Sequence, residues 1–265
     1  VTESLLRLGR PPLVIGHRGL PLLAPENTLH SFELALEHGA DGFEVDAVAL
    51  ADGTLVAGHS LDLAELCHGA AHGDAGARRL DELRRVDADL VTLEQVLELV
   101  EARLASGLIL IDLKSRGQER ALIEALRRHG LQERALLCSL ERSQLVRLRE
   151  LAPEIARSLS YPADSRRLSE RRMIAPLVPL ALHGLRLLLR RRIRGWLEQT
   201  GAAAVTLHHG VIDADLVRNC HEWGIAVFAW TIDDADIRQR LMEAGADAII
   251  TNDPRPYSRK HDEIE

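Results

Sequence analysis

Eight short apolar runs recur along this chain, most of them followed by an amphipathic stretch of helical length, and nothing else in the sequence restricts the fold as strongly. Repeated β-α units join their strands through helical crossovers, so the strands must lie parallel in one α/β sheet. Strands are predicted at Leu13 to Gly16, Phe43 to Val48, Leu108 to Leu113, Ala135 to Ser139, Ile155 to Ser160, Ala203 to Leu207, Ile225 to Trp230 and Ala248 to Thr251. Thr54 to Ala57 adds a short return strand after the Asp52-Gly53 turn. Helices are predicted over about 28–38, 93–104, 119–128, 142–151, 213–222 and 233–243. This rhythm predicts closure into a (β/α)8 barrel. A doubly wound open sheet has the same periodicity, but no G-x-G-x-x-G fingerprint follows the first strand. A length of 265 residues suits one barrel, so residues 1–265 are expected to form a single domain.

Strands of a parallel barrel are packed on both faces, so ionisable side chains within them are costly unless they work at the rim. Glu44 and Asp46 lie two apart and point the same way from a strand, where like charges repel unless a cation lies between them. Asp112 repeats the anomaly inside an apolar run. Either Asp112 forms a structural ion pair with Lys114, or it is a third metal ligand and Lys114 a phosphate contact. Three carboxylates at a barrel rim suit Mg²⁺ or Ca²⁺, and the composition does not separate the two. His17 and Arg18 follow the first strand between Gly16 and Gly19, and His59 follows Gly58 after the return strand. Two imidazoles beside a metal-bound phosphate serve as general acid and general base, because they titrate near neutral pH.

Gly16-His17-Arg18-Gly19, Pro25-Glu26-Asn27-Thr28, Phe32, Glu44-x-Asp46 and His59, in this order and spacing, resemble the glycerophosphodiester phosphodiesterase family. Thinner similarity continues through Asp112-Leu113-Lys114, Ser139-Leu140, Trp230-Thr231-Ile232-Asp233 and Thr251-Asn252-Asp253-Pro254. The resemblance implies a TIM barrel of the phospholipase C-like phosphodiesterase type that hydrolyses glycerophosphodiesters with a divalent cation, and a basic insertion at about 162–200, as a cap on the rim, would tip the substrate toward lysophospholipids. By that similarity Glu44, Asp46 and Asp112 bind the metal, and His17 and His59 are the acid-base pair. Arg18 and Lys114 hold phosphate oxygens, Trp230 packs against substrate, and Glu26 and Asn27 brace the first loop. Ser60 stands where the family has Asp, so the hydrogen bond of that Asp must be supplied differently or lost. Asp112 stands where Glu is usual, as in sphingomyelinase D-type barrels, and Leu140 where an aromatic is common. These departures admit two other readings, a sphingomyelinase D-like phospholipase forming a cyclic phosphate and a non-catalytic lipid-binding barrel.

Net charge is −7, but residues 161–200 carry nine arginines against Asp164, Glu170 and Glu198. Within this long insertion, about 162–200, Leu182, Leu185, Leu189, Ile193 and Trp196 share one helical face, with Arg186, Arg190, Arg191 and Arg194 on the other. That pattern fits either the fifth barrel helix or a peripheral membrane contact through 171–197, too short and charged to span a bilayer. Pro176, Pro179 and Gly184 suggest two helices there rather than one. Cys67, Cys138 and Cys220 are odd in number and far apart, which predicts neither disulfides nor zinc and suits a reducing interior. Val1 to Arg10 has no apolar run behind a basic start, so a cytoplasmic protein without a secretion signal is expected, possessing no nucleic-acid partner.

Overall fold

The structure, a computed structural model, describes residues 7, 10–67, 69–162 and 178–257. Its strands are β1 (Leu13–Gly16), β2 (Gly42–Ala49), β3 (Leu55–Ala57), β4 (Leu108–Leu113), β5 (Ala135–Ser139), β6 (Ala156–Tyr161), β7 (Ala204–His208), β8 (Ala226–Trp230) and β9 (Ala248–Thr251). All but β3 pair in parallel, and β1 pairs with both β2 and β9, so eight strands close into a barrel. Closure is what periodicity left undecided. β3 lies antiparallel on β2, outside the ring, behind a turn whose Gly53 has φ 82°.

Side chains alternate across each strand and sort into two cores. Phe43, Val45, Ala47, Ile109, Ile111 and Leu113 face the surrounding helices. Leu108, Leu110, Ile15, Leu136, Phe228 and Ile250 fill the lumen. By the same alternation, Asp112 continues the inward row of Leu108 and Leu110 to the C-terminal end of β4, and Glu44 and Asp46 form the inward row of β2. The lumen below is lined mainly by apolar side chains, so the carboxylates gather at the mouth.

The helices are α1 (Leu29–Glu37), α2 (Leu63–Leu66), α3 (Leu80–Leu83), α4 (Leu93–Arg103), α5 (Glu119–Arg128), α6 (Arg142–Leu151), α7 (Val178–Thr200), α8 (Ala214–Glu222) and α9 (Ala235–Ala244). Their starts are set by side chains that accept orphan backbone amides. Thr28 accepts from Ser31, Asp213 from Leu216, and Thr92 forms a reciprocal capping box with Gln95. The predicted starts at 28 and 213 are thus the caps themselves.

The sequence suggested two helices in the basic insertion, whereas α7 is unbroken across Gly184. Pro179 lies in its first turn, where no amide donor is needed. Pro176, and the whole of 163–177, lie outside the described residues. The face bearing Leu182, Leu185, Leu189, Ile193 and Trp196 packs on the barrel core. Trp196 also packs against Tyr161 at 5.7 Å and lies under the Arg142 guanidinium. That apolar face is therefore used by the barrel and is not a membrane-facing one.

Candidate active site

Register brings the acids together. Asp46 on β2 is the in-register partner of Asp112 on β4, so their side chains leave neighbouring strands side by side. Glu44 stands two residues earlier on the same face. One carboxylate oxygen from each of Glu44, Asp46 and Asp112 lies within 4.8 Å of the others. Glu44 and Asp46 are buried, and Asp112 is half-buried.

Desolvating an ion costs several kcal/mol, so three such acids need compensating charge. Two cations are at hand. Lys114 Nζ lies 2.8 Å from Asp46 Oδ1 and 2.5 Å from Asp112 Oδ2, and Arg18 Nε lies 2.9 Å from Asp46 Oδ2. The Asp112–Lys114 pair is therefore real, but Lys114 bridges two acids rather than neutralising one. Two cations stand against the three carboxylates, and Arg18 is shared with Glu26 as well, so carboxylates outnumber cations in the cluster. Burial, with Asp46 adding repulsion, pushes the Glu44 carboxyl well above its ordinary range, and burial raises Asp112 as well. Burial alone would raise Asp46 too, but Lys114 and Arg18 outweigh it and hold Asp46 below the carboxylate range.

The donor set is wholly oxygen, and a cationic ammonium already bridges two of its members. The all-oxygen set fits a hard divalent cation at Glu44, Asp46 and Asp112 better than a softer metal.

The loop after β1 is built around this cluster. Arg18 and Asn27 both adopt left-handed backbone, φ 55° and 59°, which non-glycine residues hold only when their surroundings insist. They are over-determined here. The Arg18 amide donates to Glu44 Oε2 at 3.0 Å, while the Arg18 carbonyl accepts from the Asn27 amide and from Ser31 Oγ. Asn27 Nδ2 donates to Asp46 Oδ2 at 3.1 Å, and its Oδ1 accepts from the Asp46 amide at 3.2 Å. Glu26 takes Arg18 Nη1 at 2.8 Å. Glu26 and Asn27 thus tie the loop to Arg18 and Asp46.

Each histidine has a partner that the sequence did not single out. His17 Nδ1 lies 2.8 Å from Asn252 Oδ1. The amide of Asn252 is oriented by Asp233, whose Oδ2 accepts from Asn252 Nδ2 at 2.6 Å. Asn252 therefore presents its oxygen, His17 Nδ1 carries the proton, and Nε2 bears the lone pair. Burial, and then the Arg18 cation, lower the His17 imidazole to about 4, so it is neutral at neutral pH. His59 Nδ1 lies 2.9 Å from Glu65 Oε1, and Ser60 Oγ donates to Glu65 Oε2 at 2.7 Å. Glu65 supplies a carboxylate beside His59 where the family pattern has an Asp at position 60.

A cleft of ≈ 450 Å³ runs past His59, walled by Pro25, Glu26, Glu65, Leu66 and Val91 among others. Trp230 ends β8, half-buried, its Nε1 donating to the Thr206 carbonyl at 3.2 Å and its ring meeting His208 edge-on at 5.5 Å. His209 follows His208 in a short 3-10 turn. The only sequence signals for the missed partners were indirect. Ser60 announced a missing acceptor without locating it, and Asn252 sat in a quoted motif without a role.

The sequence profile of the Glycerophosphoryl diester phosphodiesterase family matches residues 17–255. The chain is 29% identical over 262 residues to a glycerophosphodiester phosphodiesterase of Caldanaerobacter subterraneus, covering 91% of this chain and 94% of that one. It is 30% identical over 263 residues to a glycerophosphodiester phosphodiesterase of Arabidopsis thaliana, covering 94% of this chain and 73% of the relative. Among solved structures, an Oleispira antarctica phosphodiesterase in complex with the product sn-glycerol-3-phosphate superposes with TM-score 0.75 at 26% identity, covering 96% of each chain. The Thermotoga maritima glycerophosphodiester phosphodiesterase shares the fold, with TM-score 0.69 at 21% identity and coverage of 93% of this chain and 96% of that one.

Proposed function

Because the chain belongs to the glycerophosphoryl diester phosphodiesterase family, and is thus a phosphoric diester hydrolase, we propose how its own residues carry the reaction. Glu44, Asp46 and Asp112 hold a divalent cation, Mg²⁺ or Ca²⁺, which when bound supplies Lewis-acid stabilisation of phosphoryl charge. Arg18 and Lys114 bind the other phosphoryl oxygens and stabilise the charge that develops on them. His17, neutral and with its lone pair on Nε2, takes the proton of the attacking oxygen. The leaving alcohol then receives its proton from His59, whose ring is held by Glu65 through Nδ1 at 2.9 Å. Trp230 packs against the substrate at the rim. The products are a glycerol phosphate and an alcohol.

One observation supports this reading above others: two histidines, each held by a polar partner, stand at the same barrel mouth as a charge-deficient acidic trio. Incubation of the protein with sn-glycero-3-phosphocholine and Mg²⁺ or Ca²⁺, followed by ³¹P NMR, tests it. Glycerol phosphate should accumulate, and His17→Ala should slow its release by about 10² or more. No turnover with either metal, or an unimpaired variant, contradicts the assignment. A cyclic phosphate in the same spectrum would favour the sphingomyelinase D-like route.

The finer reading adds lysophospholipids to the substrates, as for a lysophospholipase D. It is favoured by exposed leucines around the mouth, Leu22, Leu23 and Leu180. Turnover of lysophosphatidylcholine to lysophosphatidic acid, lowered when these leucines become serine, is the expected outcome.

A further inference from the structure

A hydrogen bond from a backbone amide fixes the tautomer of a neutral histidine, because an amide N–H can only donate. The Gly210 amide donates to His208 Nδ1 at 3.1 Å, so that nitrogen bears the lone pair and the ring proton is on Nε2. Burial, and then the neighbouring His209, lower the His208 imidazole to about 4, so the neutral form holds at neutral pH. Capping of the short 3-10 turn that begins at His209 accounts for Nδ1. It leaves Nε2 unexplained. Among the described residues this half-buried donor has no hydrogen-bond acceptor.

The direction of the ring follows from its strand. On β7, Ala204 belongs to the luminal core, and Thr206 Oγ1 meets Ser158 Oγ at 2.7 Å and Cys138 Sγ at 3.9 Å inside the barrel. Val205 and Leu207 face the helices. His208 therefore continues the inward row at the C-terminal end of β7, which is the mouth. Its in-register neighbour is Trp230 at the end of β8, whose ring meets the imidazole edge-on. Trp230 spends its own N–H on the Thr206 carbonyl and offers the mouth an apolar ring. Of this pair, only His208 keeps a donor.

β7 is four strands from β2 in either direction round the ring, so His208 faces Glu44 and Asp46 across the mouth. Under the catalytic reading above, on which this step rests, phosphate lies against the acidic trio, Arg18 and Lys114. The leaving alcohol lies by His59, beside the cleft walled by Pro25, Glu65 and Val91. The half of the substrate that stays on phosphorus is left with the opposite side, and that half is glycerol. It has carbons for an apolar ring and hydroxyls for a neutral donor. We propose that His208 is a specificity-determining residue, donating from Nε2 to a hydroxyl of the glycerol group while Trp230 packs on its carbons. An ester whose retained alcohol has no hydroxyl leaves that donor unpaired, which is how the site tells glycerol from a simple alkyl group.

The test is calorimetric titration of the protein, with Mg²⁺ or Ca²⁺ present, using sn-glycerol 3-phosphate and propyl phosphate, which differ only in two hydroxyls. The wild type should bind glycerol phosphate about fivefold or more tightly than propyl phosphate. His208→Phe keeps a ring without a donor and should abolish the preference by weakening glycerol phosphate alone. Unchanged affinity for propyl phosphate shows that the variant folds. In turnover, the same variant should raise KM for glycerophosphocholine and leave kcat within about twofold. Long-range ¹⁵N–¹H NMR of the wild type should find the His208 proton on Nε2. Equal binding of the two esters by the wild type, a preference that survives in His208→Phe, equal loss of both esters, or a proton on Nδ1 would each overturn the proposal. Failure of the wild type to bind either ester would instead bring down the catalytic reading and this step with it, so the two failures are told apart.

Discussion

Glu65 holds His59 by a contact that the family pattern would place elsewhere, and this makes a sharp chemical prediction. If Glu65 positions the general acid, its loss matters only when the leaving group needs a proton. Glu65→Gln should slow release of choline from glycerophosphocholine by about 10- to 100-fold. It should leave nearly untouched the release of p-nitrophenolate from glycerol phosphate p-nitrophenyl ester. Equal loss on both substrates would reduce Glu65 to a structural role, and the same comparison on His59→Ala tests the acid itself. For His17 the sign is opposite in kind: burial lowers its imidazole to about 4, so it stays a neutral base as pH falls through 6.5. Long-range ¹⁵N–¹H NMR of the imidazole rings should find His17 neutral at pH 6 with its proton on Nδ1. A ring titrating near 6.5, or carrying its proton on Nε2, contradicts the Asn252 arrangement. Both histidines were legible from their glycine-flanked positions at strand ends. Their partners were not, because Glu65 comes from a four-residue helix and Asn252 from the end of β9, distant in sequence and brought beside β1 only by closure of the barrel, contacts that no local period encodes.

At the level of elements, the acidic trio exists because β2 and β4 are in register, and that register depends on close backbone approach. A Cβ on Gly42 would stand 1.9 Å from the Leu108 carbonyl oxygen, so the two strands meet at a position that only glycine allows. Gly42→Ala should push them apart, costing roughly 1–3 kcal/mol of stability and weakening divalent-cation binding at the strands' other end. Thermal unfolding and calorimetric titration with Mn²⁺ would read the two effects; unchanged melting and affinity would show that the strands absorb the methyl elsewhere. Strands and most helices were readable to within one or two residues, since each combined an apolar run or face with a cap or turn residue. α7 was readable only in part. Its sequence has one apolar face, and periodicity could not say whether the barrel or a membrane surface takes that face until Leu189 and Ile193 were seen in the core.

The whole molecule adds what no element contains. Eight parallel strands can equally form an open sheet, and the pairing of β1 with both β2 and β9 is the closure that sets His17, just after β1, beside carboxylates on β2 and β4 and an amide beyond β9. No helix among the described residues is long and apolar enough to cross a membrane. Among the described residues, the mouth of that barrel sets three carboxylates, with Glu26 beside them, against the two cations Arg18 and Lys114, and this excess of carboxylates is the core of the catalytic account. The most direct test is glycerol phosphate release from glycerophosphocholine by protein treated with EDTA and then returned to Mg²⁺ or Ca²⁺. Release should stop on chelation and resume when one of the two ions is restored, but not in Asp46→Asn at the same ion concentration. Turnover that continues undiminished in EDTA would mean that the acidic trio gathers no essential ion.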